Sequence, residues 1–241
     1  MSRRRKREKL DGDLGYTPEE SHYAQKETKQ YRAITAKNAA QKHYLISMQE
    51  HNITFGVGPA GTGKTYLCGA VAAQDLVDKK VEKIVITRPV VEAEEALGFL
   101  PGSIEEKFAP YFRPFRDVLD ERLGKTHVDY LIKLGYIEIA PLAYMRGRSF
   151  KNCWVVLDEA QNTTPNQMKL FLTRLGEGCK VVVNGDLNQK DILGQSGLED
   201  AVRTLEHLTK IGFSYFTKAD IVRSGIVQEI VEAYEDAESL T

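Results

Sequence analysis

The segment from Gly58 to Thr65 carries the residues with the clearest chemistry in this chain of 241 residues. Its letters, GPAGTGKT, match the pattern G-x-x-x-x-G-K-[ST], in which backbone N–H groups and a helix N-terminus surround phosphate oxygens. A strand-like apolar run, 53–57, leads into it and a helix-like run, 66–73, leads out. A glycine-rich turn with a chance lysine is the alternative, and these flanks disfavour it. The segment therefore predicts a P-loop that binds a nucleoside triphosphate.

Each residue of this loop has an expected role. Lys64 would reach the β- and γ-phosphates, and the Thr65 hydroxyl would ligate Mg²⁺. The predicted nucleotide-binding residues of the loop are Gly58, Pro59, Ala60, Gly61, Thr62, Gly63, Lys64, Thr65 and Tyr66.

Two carboxylates follow a second apolar run, 154–157. Asp158 at such a strand end is expected to bind Mg²⁺, and Glu159 is expected to polarise the attacking water. A helix N-terminus that favours acidic residues would also explain them, but the P-loop upstream favours the catalytic interpretation. Gln189, shortly after the run 181–183, is expected to donate to the γ-phosphate and report its presence.

Composition restricts the class of protein. With 42% hydrophobic and 28% charged residues, the chain is typical of a globular protein with a substantial core. The three cysteines lie in apolar runs without metal-ligand spacing, which indicates packed thiols in a reducing compartment. No apolar run reaches the roughly 18 residues that a bilayer requires. A cytoplasmic location is expected.

The N-terminal segment differs from the rest. Residues 1–10 carry six basic side chains against one acid, and 1–35 are predicted to be a flexible basic and polar segment. Two interpretations of this segment remain open: it is attracted to RNA or DNA phosphates, or it is a solvated tail without a partner.

Strand-like and helix-like runs alternate over 36–241, which predicts one α/β domain with a mostly parallel sheet and helices on both faces. Strands are expected at 53–57, 83–87, 136–139, 154–157, 181–183 and 213–216. Helical patterns begin at Ala36 and cover 111–134 and 226–234. Capping boxes starting at Thr164 and Ser196 predict two further helices, which end near Gly176 and at Leu208.

Several motifs together resemble the PhoH-like proteins, P-loop ATPases whose core is similar to the first RecA-like domain of superfamily 1 helicases. The resemblance covers 41–235, and the matching segments are 55–67, 87–93, 97–102, 140–148, 157–164, 167–169, 171–176 and 185–186. It implies a RecA-like fold, ATP and Mg²⁺ as nucleotide and metal, and a role in RNA or single-stranded DNA binding or remodelling.

The resemblance also implies roles for individual residues. Gln41 lies where related helicases read adenine, although it would also fit a surface helix position. Arg88 lies in a segment similar to helicase motif Ia, which touches the nucleic-acid backbone, although it would also simply hold a loop. Arg146 and Arg148 form a basic loop for RNA or subunit contact. Ser224 and Gly225 depart from the family's His-Pro, while Arg223 matches, and no stretch resembling a nuclease domain is found, so ribonuclease activity is not expected.

A missing second domain points to assembly. Phosphoryl transfer is accelerated about 10³–10⁵-fold by an arginine on the γ-phosphate, and monomeric helicases supply it from their second RecA-like domain. A neighbouring subunit is the expected donor here, with Arg223, Arg148 and Arg174 as candidates and a hexameric ring as the expected assembly.

The sequence therefore predicts a Mg²⁺-dependent ATPase that acts on RNA or single-stranded DNA in a helicase-like manner. A P-loop kinase acting on a small molecule and a nucleotide-regulated RNA-binding protein with little turnover are the alternatives. A GTPase is disfavoured, because 217–220 resembles its guanine-reading motif only faintly and no D-x-x-G switch precedes it.

Overall fold

The computed structural model describes residues 33–89, 108–145 and 147–222. Their strands are β1 (Ile53–Val57), β2 (Lys83–Arg88), β3 (Ile137–Pro141), β4 (Cys153–Leu157), β5 (Lys180–Gly185) and β6 (Ile211–Tyr215). Their α-helices are α1 (Ala39–Glu50), α2 (Lys64–Val77), α3 (Arg113–Leu123), α4 (Lys125–Lys133), α5 (Pro165–Leu172) and α6 (Gly197–Leu205). Single 3₁₀ turns lie at Ala109–Phe112, Leu142–Met145, Ala160–Asn162 and Lys218–Asp220.

These strands form one parallel sheet in the order β3-β2-β4-β5-β1-β6. Phe55 in β1 lies opposite Val183 in β5 on one side and Phe213 in β6 on the other. Because the strands are parallel, their carboxyl ends share one edge of the sheet, where ligands of α/β proteins bind. The strand β5 separates β1, which leads into the P-loop, from β4, which leads into the acidic pair.

Alternate residues of the strands enter apolar cores on opposite faces. On one face Trp154 and Val156 pack in the cluster that holds buried residues of α1 to α4. On the other face Val155 and Leu157 pack in the cluster that holds buried residues of α5 and α6. Burial of each such large apolar side chain contributes about 1.5–3 kcal/mol. The predicted fold class, an α/β fold with a parallel sheet and helices on both faces, is confirmed.

A polar link runs through the first of these cores. Tyr44 of α1 is fully buried and donates its hydroxyl to Asn184 Oδ1 of β5 at 2.6 Å. Asn184 Nδ2 in turn donates to the sulfur of Cys68 in α2 at 3.4 Å. A Cβ at Gly56 would lie 2.6 Å from Asn184 Oδ1, so the middle of β1 requires glycine. The link therefore ties α1 and the helix that follows the P-loop, α2, to β5.

The cysteines behave as the sequence predicts. Cys68, Cys153 and Cys179 are free and buried. The sulfurs of Cys153 in β4 and Cys179, the residue before β5, lie 3.6 Å apart, and burial raises the pKa of Cys153 to about 12. Among the residues that the structure describes, no helix has the length and apolar character needed to cross a membrane.

The predicted strands are all confirmed to within two residues at each end. The capping box at α5 is confirmed as well, since Thr164 Oγ1 accepts from the Gln167 N–H at 3.3 Å and Gln167 Oε1 accepts from the Thr164 N–H at 2.8 Å. The helix ends at Leu172, before the predicted end near Gly176.

Other helix predictions need correction. The stretch 111–134 is not one helix, because Gly124 adopts φ +87° and separates α3 from α4. Ser196 caps α6 by accepting from the Leu198 N–H at 3.2 Å rather than through the predicted box, and α6 ends at Leu205. The first helix begins at Ala39, after Asn38 accepts from the Gln41 N–H. The predicted helix 226–234 lies outside the described residues, and the domain boundary at 36 stays a prediction.

Candidate active site

The loop between β1 and α2 has the backbone conformation of a phosphate-binding loop. Gly58, Gly61 and Gly63 have φ angles of +144°, +80° and +86°, which side-chain-bearing residues rarely adopt. A Cβ at Gly58 would lie 2.3 Å from the carbonyl oxygen of Phe216, and one at Gly63 would lie 2.9 Å from Gln41 Nε2. The loop is thus shaped by its glycines and packed closely against its neighbours.

Lys64, the first residue of α2, folds back over this loop. Its Nζ donates to the carbonyl oxygens of Gly58 at 2.7 Å and Pro59 at 2.8 Å, and to Thr62 Oγ1 at 3.2 Å. The same Nζ lies 5.7 Å from the centre of the Phe216 ring, within reach of a cation–π interaction. The ammonium group is therefore held at the mouth of the loop by contacts that a phosphate could replace.

Two electrostatic effects shift the pKa of Lys64 in opposite directions. Burial lowers the pKa of its ammonium group, whereas the negative charges of Asp158, Asp186 and Glu159 oppose that shift. The same acids therefore stabilise the charged form that a polyphosphate requires.

A cleft of about 310 Å³ opens over the loop. It brings the P-loop together with residues that follow β4 and β5, as the shared carboxyl edge of the sheet predicts. The lining residues are Gly58, Ala60, Gly61, Thr62, Gly63, Lys64, Thr65, Tyr66, Pro114, Val118, Asp158, Glu159, Gly185, Asp186 and Gln189. Most of the predicted nucleotide-binding residues therefore meet the predicted acids in one cavity.

The acidic pair lies at the end of β4. The Asp158 N–H donates to the carbonyl oxygen of Thr87 at 2.9 Å, which continues the ladder with β2 by one residue. Glu159 then adopts φ +52° and ψ +41°, a left-handed conformation that is uncommon outside glycine. Such backbone strain occurs frequently at functional sites. The sharp turn leaves both acids on the wall of the cleft.

The oxygens of Thr65 and Asp158 suit a magnesium ion. Hydroxyl and carboxylate oxygens are hard ligands, which Mg²⁺ prefers, and both residues line the same cleft. Asp158 keeps part of its surface toward the cleft, yet desolvation and the neighbouring charge of Glu159 raise its pKa to about 6. Arg88 and Lys64 act in the opposite direction. The ionised form of Asp158 is unfavourable in this environment, and a bound cation would stabilise it.

Replacement of Asp158 by asparagine is expected to stabilise the metal-free protein. Its pKa is about 6 in the fold, above the ordinary value, so the ionised carboxylate destabilises the fold above pH 6. The wild type regains that stability as the pH falls from 6 toward 4, and the variant does not. Because one pKa unit corresponds to about 1.4 kcal/mol, Asp158→Asn should raise the free energy of unfolding at pH 7.5 by up to about 3 kcal/mol.

Urea unfolding with EDTA at pH 7.5 and pH 5 measures this difference. Equal stability of the two proteins at pH 7.5 would contradict the assigned environment of Asp158. In the same variant, Mg²⁺ should no longer tighten nucleotide binding, and an unchanged effect of Mg²⁺ would remove Asp158 from the metal site.

A buried glutamine joins the loops that follow β4 and β5. Gln161 is 2% exposed, and its Nε2 donates to Glu159 Oε2 at 2.6 Å while its Oε1 accepts from the Asp186 N–H at 3.0 Å. The carboxylate of Asp186 is itself buried beside the cleft. Neither residue is among the site residues predicted from the sequence. The signal was present, since Asp186 directly follows β5 and Gln161 lies two residues beyond Glu159.

Gln41 lies beneath the P-loop. Its Nε2 donates to the carbonyl oxygen of Thr62 at 2.9 Å, and its Oε1 accepts from the Lys37 N–H at 2.8 Å. With 3% exposure it is not a surface helix residue, so that alternative is wrong. Its amide braces the loop, and its contact with adenine stays a prediction.

The remaining nucleotide-site residues differ in their placement. Gln189 is exposed at the rim of the cleft, and its contact with a γ-phosphate stays a prediction. Tyr66 is 40% exposed and donates its hydroxyl to Glu121 Oε1 at 3.2 Å. Pro59 contributes its carbonyl oxygen, which accepts from Lys64 and from the Thr62 hydroxyl.

The candidate arginines are in different situations. Arg148 forms a two-point ion pair with Glu138 of β3, one contact of which measures 2.8 Å. The Nε of Arg174 is buried and has no hydrogen-bond partner among the described residues. Arg146 and Arg223 lie outside the described residues. Val222, just before Arg223, donates its N–H to the carbonyl oxygen of Gly61 at 3.0 Å, so the chain passes beside the P-loop at that point.

Known proteins are similar to this chain in sequence. Protein PhoH of Escherichia coli (strain K12) is 51% identical over 205 residues, which cover 83% of this chain and 58% of that protein. The PhoH-like protein of Bacillus subtilis (strain 168) is 47% identical over 220 residues, which cover 90% of this chain and 69% of that one. The chain therefore spans little more than half of the E. coli protein.

Among solved structures, the Pif1 helicase from Candida albicans aligns over 77% of this chain and 41% of its own. The identity is 14% and the TM-score 0.38, which is too low to support a functional argument. The family model described as PhoH-like protein matches residues 33–235, which include the P-loop, both acids and the whole described sheet. The chain therefore belongs to the PhoH-like protein family.

Proposed function

We propose that this protein hydrolyses ATP with Mg²⁺ and couples hydrolysis to the binding of single-stranded RNA. The proposal of hydrolysis rests on one observation: the cleft of about 310 Å³ brings Lys64, Asp158 and Glu159 together. The pairing of a phosphate-binding loop with two adjacent acids is what hydrolysis of a phosphoanhydride requires.

The residues divide the work as follows. The amides of 60–65 and the ammonium of Lys64 bind the β- and γ-phosphates, with Lys64 exchanging its bonds to the loop carbonyls for bonds to phosphate oxygens. Thr65 and Asp158 hold Mg²⁺, which supplies positive charge against the phosphates. Glu159 orients the attacking water and accepts its proton. Water rather than a metabolite is the proposed acceptor, because the acidic pair and Gln189 line the cleft next to the loop.

Nucleic acid is proposed as the partner because of the position of Arg88. This residue ends β2 at the same edge of the sheet as the cleft, and its side chain is 27% exposed. The basic residues among 1–10 add positive charge that phosphate backbones attract. Single-stranded DNA is the related alternative that the experiment below includes.

A ring of subunits, most simply a hexamer, is proposed to complete the ATP site. Arg148 already pairs with Glu138, whereas the guanidinium of Arg174 makes no such pair with the described residues. Arg174 and Arg223 are therefore the better candidates for the arginine that a neighbouring subunit supplies.

The purified protein should release inorganic phosphate from ATP in the presence of Mg²⁺, and single-stranded RNA should raise the rate. The assay compares ATP with GTP, RNA with DNA, and free phosphate with phosphorylated small molecules, while light scattering measures the mass. Phosphate release without any effect of nucleic acid would refute the coupling. A strictly monomeric mass during turnover would refute the ring, and transfer to a metabolite would favour the kinase.

A further inference from the structure

Both carboxylate oxygens of Glu159 are engaged by protein groups. Oε2 accepts from Gln161 Nε2 at 2.6 Å, and Oε1 lies 3.7 Å from Arg88 Nη2. A carboxylate held between an amide and a guanidinium has part of its charge neutralised and its orientation fixed. In this arrangement Glu159 is restrained in its proposed role of orienting and deprotonating a water molecule.

The two partners of Glu159 differ in accessibility. Gln161 is buried and is fixed at its other end by the N–H of Asp186. Arg88 is partly exposed and is held by weaker contacts: Nη1 donates to the carbonyl oxygen of Tyr111 at 3.3 Å, and the guanidinium lies 5.9 Å from the Tyr111 ring. A ligand arriving from solvent can therefore engage Arg88 but not Gln161.

We propose that Arg88 is a positioning residue that restrains Glu159 until a phosphate of single-stranded RNA binds the guanidinium. The proposal rests on the proposed function, since it explains how RNA would raise ATP turnover. Guanidinium groups bind phosphate through two parallel hydrogen bonds, which a contact of 3.7 Å to one carboxylate oxygen does not match. The phosphate therefore displaces the carboxylate of Glu159, which is then free to reorient within the cleft that it lines.

The aromatic ring beside Arg88 fits the same ligand. Tyr111 is 44% exposed although it packs against the guanidinium. Exposed aromatic rings next to basic side chains are the usual stacking platforms for the bases of single strands. A nucleotide bound here would place its phosphate on Arg88 and its base on or near Tyr111.

Steady-state ATP hydrolysis by the full chain, at saturating Mg²⁺ and ATP with and without an oligouridine strand, tests the proposal. Arg88→Ala should raise the basal kcat about two- to fivefold, the range expected for loss of a partly exposed ion pair. The same variant should lose most of the stimulation by RNA. Arg88→Gln keeps a polar side chain, so it controls for misfolding of the alanine variant. Its basal and RNA-stimulated rates should match those of Arg88→Ala. Arg203→Ala, which removes an exposed arginine paired with Asp200, is the matched control and should change neither rate.

A double variant shows whether Arg88 acts through Glu159. In a Glu159→Gln background, Arg88→Ala should leave the residual basal rate unchanged. A basal kcat that falls tenfold or more in Arg88→Ala and Arg88→Gln would overturn the proposal, because Arg88 would then assist the chemistry directly. Unchanged basal and RNA-stimulated rates would overturn it too. If RNA does not stimulate the wild type, the coupling fails separately, and the basal rates of the Arg88 variants still decide whether Glu159 is restrained.

Discussion

Replacing Lys64 by alanine is expected to reduce ATP turnover at least about 100-fold, because loss of one positioned donor to a developing charge costs about 10²–10³ in rate. The ammonium group is the cation that the P-loop itself places over the phosphates, where its Nζ lies 2.7 Å from the carbonyl oxygen of Gly58. Phosphate release and binding of a fluorescent ATP analogue measure the effect. Binding should weaken together with turnover, since Lys64 is proposed to contact the phosphates both before and during the reaction.

The chain contains a matched control for this variant. Lys180 Nζ also donates to three backbone carbonyl oxygens, those of Met48, Gln49 and His51 at 3.2, 3.0 and 2.9 Å. These carbonyls lie at the end of α1, where a lysine stabilises the helix C-terminus. Lys180→Ala should therefore lose about 1 kcal/mol of stability and keep its turnover. Equal turnover in Lys64→Ala and the wild type would show that the loop is not the site of hydrolysis.

Glu159→Gln is expected to separate binding from hydrolysis. The amide has nearly the shape of the carboxylate but does not take up a proton, so turnover should fall about 10²–10⁴-fold while ATP still binds with Mg²⁺. Single-turnover hydrolysis and equilibrium binding of the ATP analogue distinguish the two effects. Glu206→Gln is the control, because Glu206 is exposed and its carboxylate accepts from the Tyr215 hydroxyl at a distance from the cleft lining.

Hydrolysis at the wild-type rate in Glu159→Gln would assign the water-orienting role elsewhere. Asp186 would then be the residue to test next, since its carboxylate is buried beside the same cleft. Loss of both binding and turnover would instead show that Glu159 holds the loop structure.

The sequence predicts the P-loop and the acidic pair well because both depend on short-range patterns. A glycine-rich segment between a strand and a helix can adopt few backbone conformations. Because the carboxyl ends of parallel strands share one edge of the sheet, Asp158 must lie near that loop. The strand order then determines which loops meet, and alternation of strands and helices is enough to predict a parallel sheet. The helix stop at Gly124 was missed because one glycine within a helical pattern is usually tolerated.

Contacts between residues distant in sequence could not be predicted in the same way. Phe216 lies under Lys64 although the two residues are 152 positions apart in the chain. No local sequence pattern predicts that contact. Gln41 was placed near the nucleotide through resemblance, yet the structure puts it below the loop, where its amide satisfies the Thr62 carbonyl. The pairing of Arg148 with Glu138 depends on the turn that follows β3, which the sequence analysis did not define.

The position of β5 between β1 and β4 sets the distance between the glycine loop and the acidic pair. Neighbouring strands lie about 4.8 Å apart, so the backbone of the P-loop strand and that of the acid-bearing strand are separated by roughly 9–10 Å. Lys64, Asp158 and Glu159 line the cleft over this space. A ligand in the cleft would therefore meet the loop on one side and the acids on the other.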